Sequence, residues 1–372
     1  MKARVERIQL HPSDFSAYFK PGVNSEFWCN LSHRTEFEYT TIFQSGRAGI
    51  YNVLNSLELQ EHDEVLLPAY TCYAVASAVE EIATPVFVDV DPVNFTIDVS
   101  DLKNKITEDS SVIIPVHLFG NTCDMPSIAK VAANNNLIII EDAAQALGTL
   151  VLNDKIGTHS DYCIFSLRFS KEITSKGGGI VLSNQPMANI RNGKKSDFLT
   201  LLGLVSIFAT DTLFNLMPGK LYDIIRRRIL TPLFTSSSQE LGPLESIEIQ
   251  NRTTKLLENQ LDKLQTRVNR RRQNAQIYNQ ILSDLVTTPK IKNDHSYFRY
   301  SILVENDRDD LIAQLRRRGI GCSKMYSYSL PNNPQTCPVS ANIAKKIINL
   351  PVHSKLKEKQ ICDIGEEVNS LV

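Results

Sequence analysis

The chain lacks any Cys-x-x-Cys pair. Its cysteines at 29, 72, 123, 163, 322, 337 and 362 are scattered and odd in number, which argues against a zinc ligand set and against a disulfide framework, and suits a reducing compartment. It also lacks net charge. Forty Lys and Arg stand against 41 Asp and Glu, leaving −1, so no bulk field draws it to nucleic acid. The opening stretch MKARVERIQLHPSDF has no apolar h-region, so no secretory signal is expected and a cytoplasmic location is. There is no internal repeat and no long low-complexity tract. Long charge-free runs are scarce as well. Phe198 to Thr210 (FLTLLGLVSIFAT) carries no charge, but it falls short of the ~20 residues that span a bilayer. Extension to Gly219 takes in Asp211 and Pro218. Lys194 and Lys195 precede the run, and Lys220 and Arg226–Arg228 follow it. Three readings stay open for 198–219: a buried or dimer-interface helical hairpin, a helix on a membrane surface with its basic flanks toward lipid phosphates, and last a true span. The second would make the protein peripheral to the membrane.

What is present is the balance of a folded protein. Hydrophobic residues make up 42% and charged residues 22% of 372 positions, which suits two or three domains, or one large α/β domain with a smaller companion. From Ser45 onward two periodicities alternate. Ile50, Val53, Leu54 and Leu57 follow the helical i, i+3, i+4, i+7 pattern. Short apolar runs at Val65–Leu67, Val86–Val90, Val112–Val116, Leu137–Ile140, Tyr162–Phe165 and Ile180–Leu182 read as strands, with helical stretches such as Val75–Ile82 and Ile128–Ala132 between them. Strands alternating with helices imply βαβ units and a mostly parallel sheet. Ligands then bind at the carboxyl ends of the strands. Residues 187–245 break the rhythm. A long helix is expected from about residue 250, striped by Leu257, Leu261, Leu264, Val268, Tyr278 and Ile281. Residues 296–372 read as a small α/β unit: a strand at Tyr300–Leu303, a helix over Asp309–Arg318 stopped by Gly319, and further helices at Ile343–Ile348 and Gln360–Val368.

Three stretches carry chemistry. SGRAG, 45–49, opens a helix with glycine beside free backbone N–H groups, an anion site suited to phosphate; an ordinary N-cap is the plainer reading. IIIEDAAQALG, 138–148, puts Asp142 at the end of a buried strand. A helix cap is one reading. An ionised carboxylate that keeps a pyridine nitrogen protonated is the other, with Gln145 one turn on, within reach of a phenolic oxygen. FSLRFSKEITSKGGG, 165–179, sets Lys171 on a loop after a strand that ends at Ser166. There an amine suits Schiff-base chemistry and proton shuttling, and Ser166 suits a phosphate.

Together these stretches resemble the DegT/DnrJ/EryC1/StrS sugar aminotransferase family of fold-type I, pyridoxal-phosphate (PLP) dependent enzymes. PAYTC at 68–72, VFVDVDPVNFTID at 86–98, PVHLFGNTCDM at 115–125, RRRQNAQIY at 270–278 and CPVS…INLPVH at 337–353 are similar to further family blocks. The resemblance implies an α/β, aspartate-aminotransferase-like fold type I, with a mostly parallel central sheet and a smaller C-terminal α/β domain. The expected division is an N-terminal segment 1–40, a large PLP-binding domain 41–245 with an apolar insert near 190–240, and a linking helix with small domain 246–372. The resemblance implies Lys171 as the catalytic residue, and Ser45, Gly46, Arg47, Cys72, Tyr73, Asp142, Gln145, Ser166 and Lys171 as cofactor-binding residues, with no metal. It also implies a homodimer.

The sequence departs from the family pattern in several places. Cys72 stands where many members stack an aromatic ring, with Tyr73 adjacent. Arg47 replaces a threonine, so its contact is backbone-only or differently made. Lys176–Gly177 replaces Gly-Glu, and Ala341 replaces a glutamate. The asparagine lent to the partner's phosphate has two candidates here, Ser246 and Asn251. Tyr326 and Tyr328 read as reaching the site from the small domain. His117 reads either as a cofactor neighbour or as a core histidine. Arg299 reads either as the binder of the amino donor's carboxylate or as a surface charge.

The expected function is transfer of an amino group, from glutamate, to a keto-sugar that is nucleotide-linked, for surface polysaccharide or related glycan synthesis. A PLP-dependent sugar dehydratase is the first alternative; in such family members histidine replaces the lysine, whereas position 171 is Lys. A non-catalytic regulatory or membrane-associated member is the second.

Overall fold

The computed structural model describes residues 37–149, 156–168, 171–175, 177–187, 192–194, 246–248, 251–290, 292, 294–305, 307–331 and 333–372, and from the N-terminal part Ala3, Pro12–Phe19, Leu31 and Thr35. The alternating pattern builds α1 (Pro12–Tyr18), β1 (Tyr39–Phe43), α2 (Gly46–Ser56), β2 (Glu64–Pro68), α3 (Tyr73–Val79), β3 (Thr84–Val88), α4 (Val99–Lys105), β4 (Ser110–Ile113), α5 (Met125–Asn135), β5 (Ile138–Asp142), β6 (Tyr162–Ser166), β7 (Gly179–Ser183), β8 (Asn192–Lys194) and β9 (Ser246–Glu248). These are followed by α6 (Asn251–Leu261), α7 (Leu264–Ile281), β10 (Val286–Thr287), β11 (Tyr300–Val304), α8 (Arg308–Arg317), α9 (Pro338–Lys346), β12 (Ile347–Leu350) and α10 (Glu358–Asn369).

The large sheet has the order β3-β2-β4-β5-β6-β7-β1-β9-β8. Strands β3, β2, β4, β5 and β6 are mutually parallel, and β7 runs against both β6 and β1. Side chains alternate between the two faces of a strand, so both faces of β5 are apolar. Ile140 packs with Ala48, Val53, Leu54 and Val75 of α2 and α3, while Ile139 packs with Leu102, Ile128 and Val131 of α4 and α5. Helices on both faces of a parallel sheet account for the near-continuous Ile/Val/Leu strands. The smaller sheet, β10-β11-β12, is antiparallel. Its core joins Ile302 and Ile348 to Tyr278, Leu315 and Ile361 of the surrounding helices.

Local caps set several boundaries. Asp124 accepts from the Ser127 N–H to start α5, and Asn136 ends it in the left-handed region at φ 54. Asp307 caps α8 through the N–H groups of Asp309 and Asp310, and Gly319 follows it at φ 83.

Two expectations need correction. The helix expected as one rod from about 250 is two, α6 and α7, because α6 packs against α1 while α7 packs against α10. The apolar stripe continues through both, with Leu257, Leu261, Leu264 and Val268 in one cluster. The helix expected over Ile343–Ile348 stops at Lys346. Ile347 and Ile348 pair with Leu303 and Ile302 of β11, since a short apolar run fits either state until a partner strand decides. No helix among the described residues is long and apolar enough to cross a membrane. Segment 198–219, and with it the choice between hairpin and membrane-surface helix, lies outside the described residues, as does Lys176.

Candidate active site

Parallel strands deliver the loops at their carboxyl ends to one edge of the sheet. Asp142 ends β5 and is locked there by backbone bonds, its N–H to Pro115 O (2.9 Å) and its carbonyl from the His117 N–H (3.0 Å). Its carboxylate is buried, and Oδ1 accepts from the Ala144 N–H at 2.9 Å. Burial pushes this carboxyl above its usual 3.8, while the Ala144 N–H, Lys171 and His117 pull the other way. Gln145 is buried behind it. Its Oε1 accepts from the Phe119 N–H (3.2 Å), and its Nε2 donates to the Tyr326 hydroxyl (3.3 Å).

Lys171 follows β6 on a tight loop, with its N–H on Arg168 O (2.9 Å). The side chain is half-buried, with Nζ 5.7 Å from the centre of the Phe298 ring. Burial pushes its amine below the usual 10.5, against the pull of Asp142, Cys72 and Glu172. Lys171 and Asp142 thus act on each other's charge.

The start of α2 meets the same region. Ser45 Oγ accepts from the Ala48 N–H at 3.1 Å, and the first N–H groups of the helix point out of its end. A methyl on Gly46 would lie 3.6 Å from Ser166 Cβ, so the end of β6 stands beside the helix start. The glycine run explains how the chain fits here. Gly178 sits at φ 121, and a methyl on Gly179 would collide with the Ser45 carbonyl and lie 2.6 Å from Gly46 N.

The structure therefore brings Asp142, Lys171 and Cys72 into one electrostatic neighbourhood, and Ser45, Gly46 and Ser166 into another on the same strand edge. Arg47 turns away: its guanidinium binds Ser77 Oγ (3.1 Å) and Glu81, which leaves only its backbone for a ligand. Tyr73 differs from expectation. Its ring is 52% exposed and its hydroxyl donates to Glu80 (3.3 Å), because the first residue of α3 is rotated away from Cys72. Tyr326 reaches in from the segment between α8 and α9, held by Tyr70 Oη, which accepts from its N–H (2.7 Å) and donates to its carbonyl (2.9 Å). Tyr328 accepts from the Tyr73 N–H at 3.1 Å. His117 is a core histidine: Nε2 bonds Glu141 (2.6 Å), and Nδ1 accepts from the Cys123 N–H (3.0 Å). Arg299 is no surface charge. It is 2% exposed, lies 5.2 Å from the Phe298 ring centre, and burial lowers its pKa to about 10. Ser246 pairs with Phe43 in the sheet, and Asn251 begins α6.

Sequence reasoning missed Phe298 beneath the lysine, and also Glu172, Arg271 and Gly148, which hold the lysine loop. A cavity of about 630 Å³ is lined by His117 and Glu141 together with Asp98, Met125, Ile156 and Lys292, but by neither Asp142 nor Lys171. Among the described residues no group of His, Cys, Asp or Glu is arranged to hold a metal.

An amine with a depressed pKa is a nucleophile toward a carbonyl. A buried carboxylate calls for a cation, and a helix start binds phosphate. One small molecule that carries an aldehyde, a basic ring nitrogen and a phosphate answers all three. The comparisons agree. The model of the DegT/DnrJ/EryC1/StrS aminotransferase family matches residues 23–369. GDP-perosamine synthase of Escherichia coli O157:H7 is 27% identical over 92% of this chain and 88% of its own. UDP-N-acetyl-3-dehydro-alpha-D-glucosamine 3-aminotransferase of Acidithiobacillus ferrooxidans is 28% identical over 86% of this chain and 81% of its own. Among solved structures, the Streptococcus pneumoniae protein Spr1654, assigned as a sugar aminotransferase and solved in its PLP form, superposes with a TM-score of 0.77 at 21% identity, covering 100% of this chain and 98% of that one.

The architecture is that of fold type I, the α/β scaffold of PLP-dependent aminotransferases. The chain belongs to the DegT/DnrJ/EryC1/StrS aminotransferase family, whose cofactor is pyridoxal 5′-phosphate.

Proposed function

We propose that this enzyme transfers an amino group from an amino acid, glutamate, to a keto-sugar carried on a nucleotide, for surface polysaccharide or a related glycan. The observation that carries the reading is a half-buried lysine amine, lowered in pKa by its surroundings, beside a buried carboxylate at the end of β5. Relatives named for GDP-, UDP- and dTDP-linked sugars support the nucleotide.

The residues fit the cofactor. The α2 start, with Ser45, Gly46 and the Arg47 backbone, and the Ser166 hydroxyl would hold its phosphate. Asp142 is buried and would face the ring nitrogen, holding that nitrogen protonated. Gln145 would hydrogen-bond the phenolic oxygen, and Cys72 would border the ring, with Tyr326 beside it. When bound, the cofactor supplies an electron sink for the carbon that loses its proton. Lys171 Nζ then takes that proton and returns it, a task that a lowered pKa eases. Arg299, buried beside Phe298, would receive the donor's carboxylate. A homodimer is part of the proposal. Lysine at 171 disfavours the dehydratase reading.

Lys171→Ala is expected to abolish the yellow colour of the cofactor-loaded protein while leaving it folded. A panel of keto-sugar nucleotides, with glutamate as donor and 2-oxoglutarate release as the readout, tests the substrate. Amination of free or lipid-linked keto-sugars with none on any nucleotide would overturn that part.

A further inference from the structure

We propose that Glu172 and Arg271 form a positioning pair that fixes both the place and the charge of the Lys171 amine. This rests on Lys171 being the cofactor lysine. Lys171 and Glu172 are neighbours whose side chains part. One turns toward Asp142, Cys72 and the Phe298 ring. The other is buried against the linking helix α7, where Glu172 Oε1 meets Arg271 Nη2 at 2.5 Å, with both side chains almost fully enclosed. The second carboxylate oxygen accepts from the Gly148 N–H. Gly148 lies just beyond Gln145, so a single carboxylate ties the lysine loop to the Asp142–Gln145 segment and to α7. Glycine is needed at 148, because a methyl there would collide with the carboxylate and lie 2.8 Å from Val268. A second grip lies two residues on. The Thr174 N–H donates to Gln260 Oε1 (3.1 Å), and Gln260 Nε2 donates to Thr174 O (2.9 Å).

A buried ion pair is screened little by salt, and breaking it by removing one partner leaves an uncompensated charge. The charged and titratable groups around the Lys171 amine are Asp142 at the end of β5, Cys72 before α3, and Arg168 and Glu172 on its own loop. Arg299 shares the Phe298 ring, and the Tyr326 hydroxyl lies beside Cys72. Among these, Glu172 is the carboxylate already neutralised by another cation, Arg271. If Arg271 is removed, the Glu172 carboxylate, which already favours the Lys171 ammonium, is no longer offset by its ion-pair partner, and it holds the Lys171 proton to higher pH. If the charge of Glu172 is removed instead, the amine loses a neighbour that favours the ammonium and loses its proton at lower pH.

The two single variants therefore move Lys171 in opposite directions, whereas a loop merely loosened would respond to both alike. The test uses the full-length chain. It reads the pH midpoint of the visible band of the loaded protein, and the pH dependence of Lys171 labelling by acetic anhydride in cofactor-free protein, followed by peptide mass. Arg271→Leu is expected to raise the midpoint by about one pH unit, and the pH at which Lys171 becomes half-labelled should rise with it. Glu172→Gln, which keeps an acceptor for Gly148, is expected to lower it. Arg271→Lys should leave it in place, and Glu172→Gln/Arg271→Leu should return it toward wild type. If Arg271→Leu does not fold, Glu172→Gln and the double variant still decide. Shifts of one sign in both single variants, or none in either, overturn the pair's role. A yellow Lys171→Ala protein would instead overturn the cofactor-lysine reading beneath it.

Discussion

Asp89→Ala is expected to undock helix α9 and so loosen the substrate side of the site. Asp89 directly follows β3, at the carboxyl edge of the large sheet, and is buried. Its Oδ1 accepts from the Ser340 N–H (2.8 Å) and the Ser340 hydroxyl (2.6 Å), and its Oδ2 accepts from the Val339 N–H (2.9 Å). Helix α9 needs this help. Its own cap residue, Cys337, makes no side-chain cap bond, and Pro338 has no N–H to offer. A carboxylate at the end of β3, distant in sequence, therefore caps α9 and meets the positive end of its dipole. Hydrogen bonds to a charged group are worth roughly 1.5–3 kcal/mol each, and a buried donor left without a partner costs about 1–3 kcal/mol. The Val90 N–H also donates to Oδ1 (2.9 Å). The four donors share one acceptor group and do not add fully, so we expect a loss of roughly 3–5 kcal/mol for Asp89→Ala, and about half that for Asp89→Asn, which keeps one acceptor oxygen. The segment before α9 carries Tyr326, and its Leu330 N–H bonds Ala69 O at 2.9 Å. Undocking should therefore raise KM for the sugar more than it lowers kcat. Denaturant unfolding followed by tryptophan fluorescence and circular dichroism measures the first effect, and steady-state kinetics the second. An Asp89→Ala protein within about 1 kcal/mol of wild type would refute the trans-cap argument.

Asp142→Asn should have two opposite effects. The carboxyl is raised in the folded chain, so its contribution to stability is complete below pH 3.8 and is lost as pH rises through the raised value. The cofactor-free Asn variant should therefore be more stable than wild type at neutral pH, by about 1.4 kcal/mol of unfolding free energy per pH unit of elevation, while its loaded form transaminates orders of magnitude more slowly; a near-wild-type turnover would sink the ring-nitrogen role. Gly179→Ala should cost about 1–3 kcal/mol by overpacking, because the methyl meets the Ser45 carbonyl, and cofactor retention on a desalting column should fall with it. Full retention would show that the α2 start does not hold the phosphate.

The parts of the site that were legible are those written in consecutive residues. In Ile138–Asp142 and Tyr162–Ser166 the strand, its end and the chemical group lie together, so periodicity alone put Asp142 and Lys171 near one sheet edge. The parts that were not legible depend on which way a residue faces. Cys72 and Tyr73 are adjacent, yet Cys72 is an extended residue outside α3 (φ −70, ψ 130) and Tyr73 is the first residue of that helix, and the two side chains go to different places. Glu172 looks like any loop acid. Arg271 is the middle of three arginines, and only its spacing betrays it: Arg267, Arg271, Asn274 and Tyr278 lie on one buried stripe of α7. Long polar side chains on a core-facing stripe are the mark of a buried ion pair, and a helical count made with polar residues included would have found it.

Position 72 shows the limit of reading one site letter by letter. A thiol stands where the family pattern has a ring, which taken alone suggests a weakened pocket. In the folded chain the Tyr326 phenol lies next to that thiol and bonds Gln145. Burial pushes the phenol's pKa well up, so it stays protonated across the working range and holds its hydrogen bonds. Position 72 therefore has to be read together with Tyr326, whose hydroxyl is held by Gln145 and whose backbone is held by Tyr70.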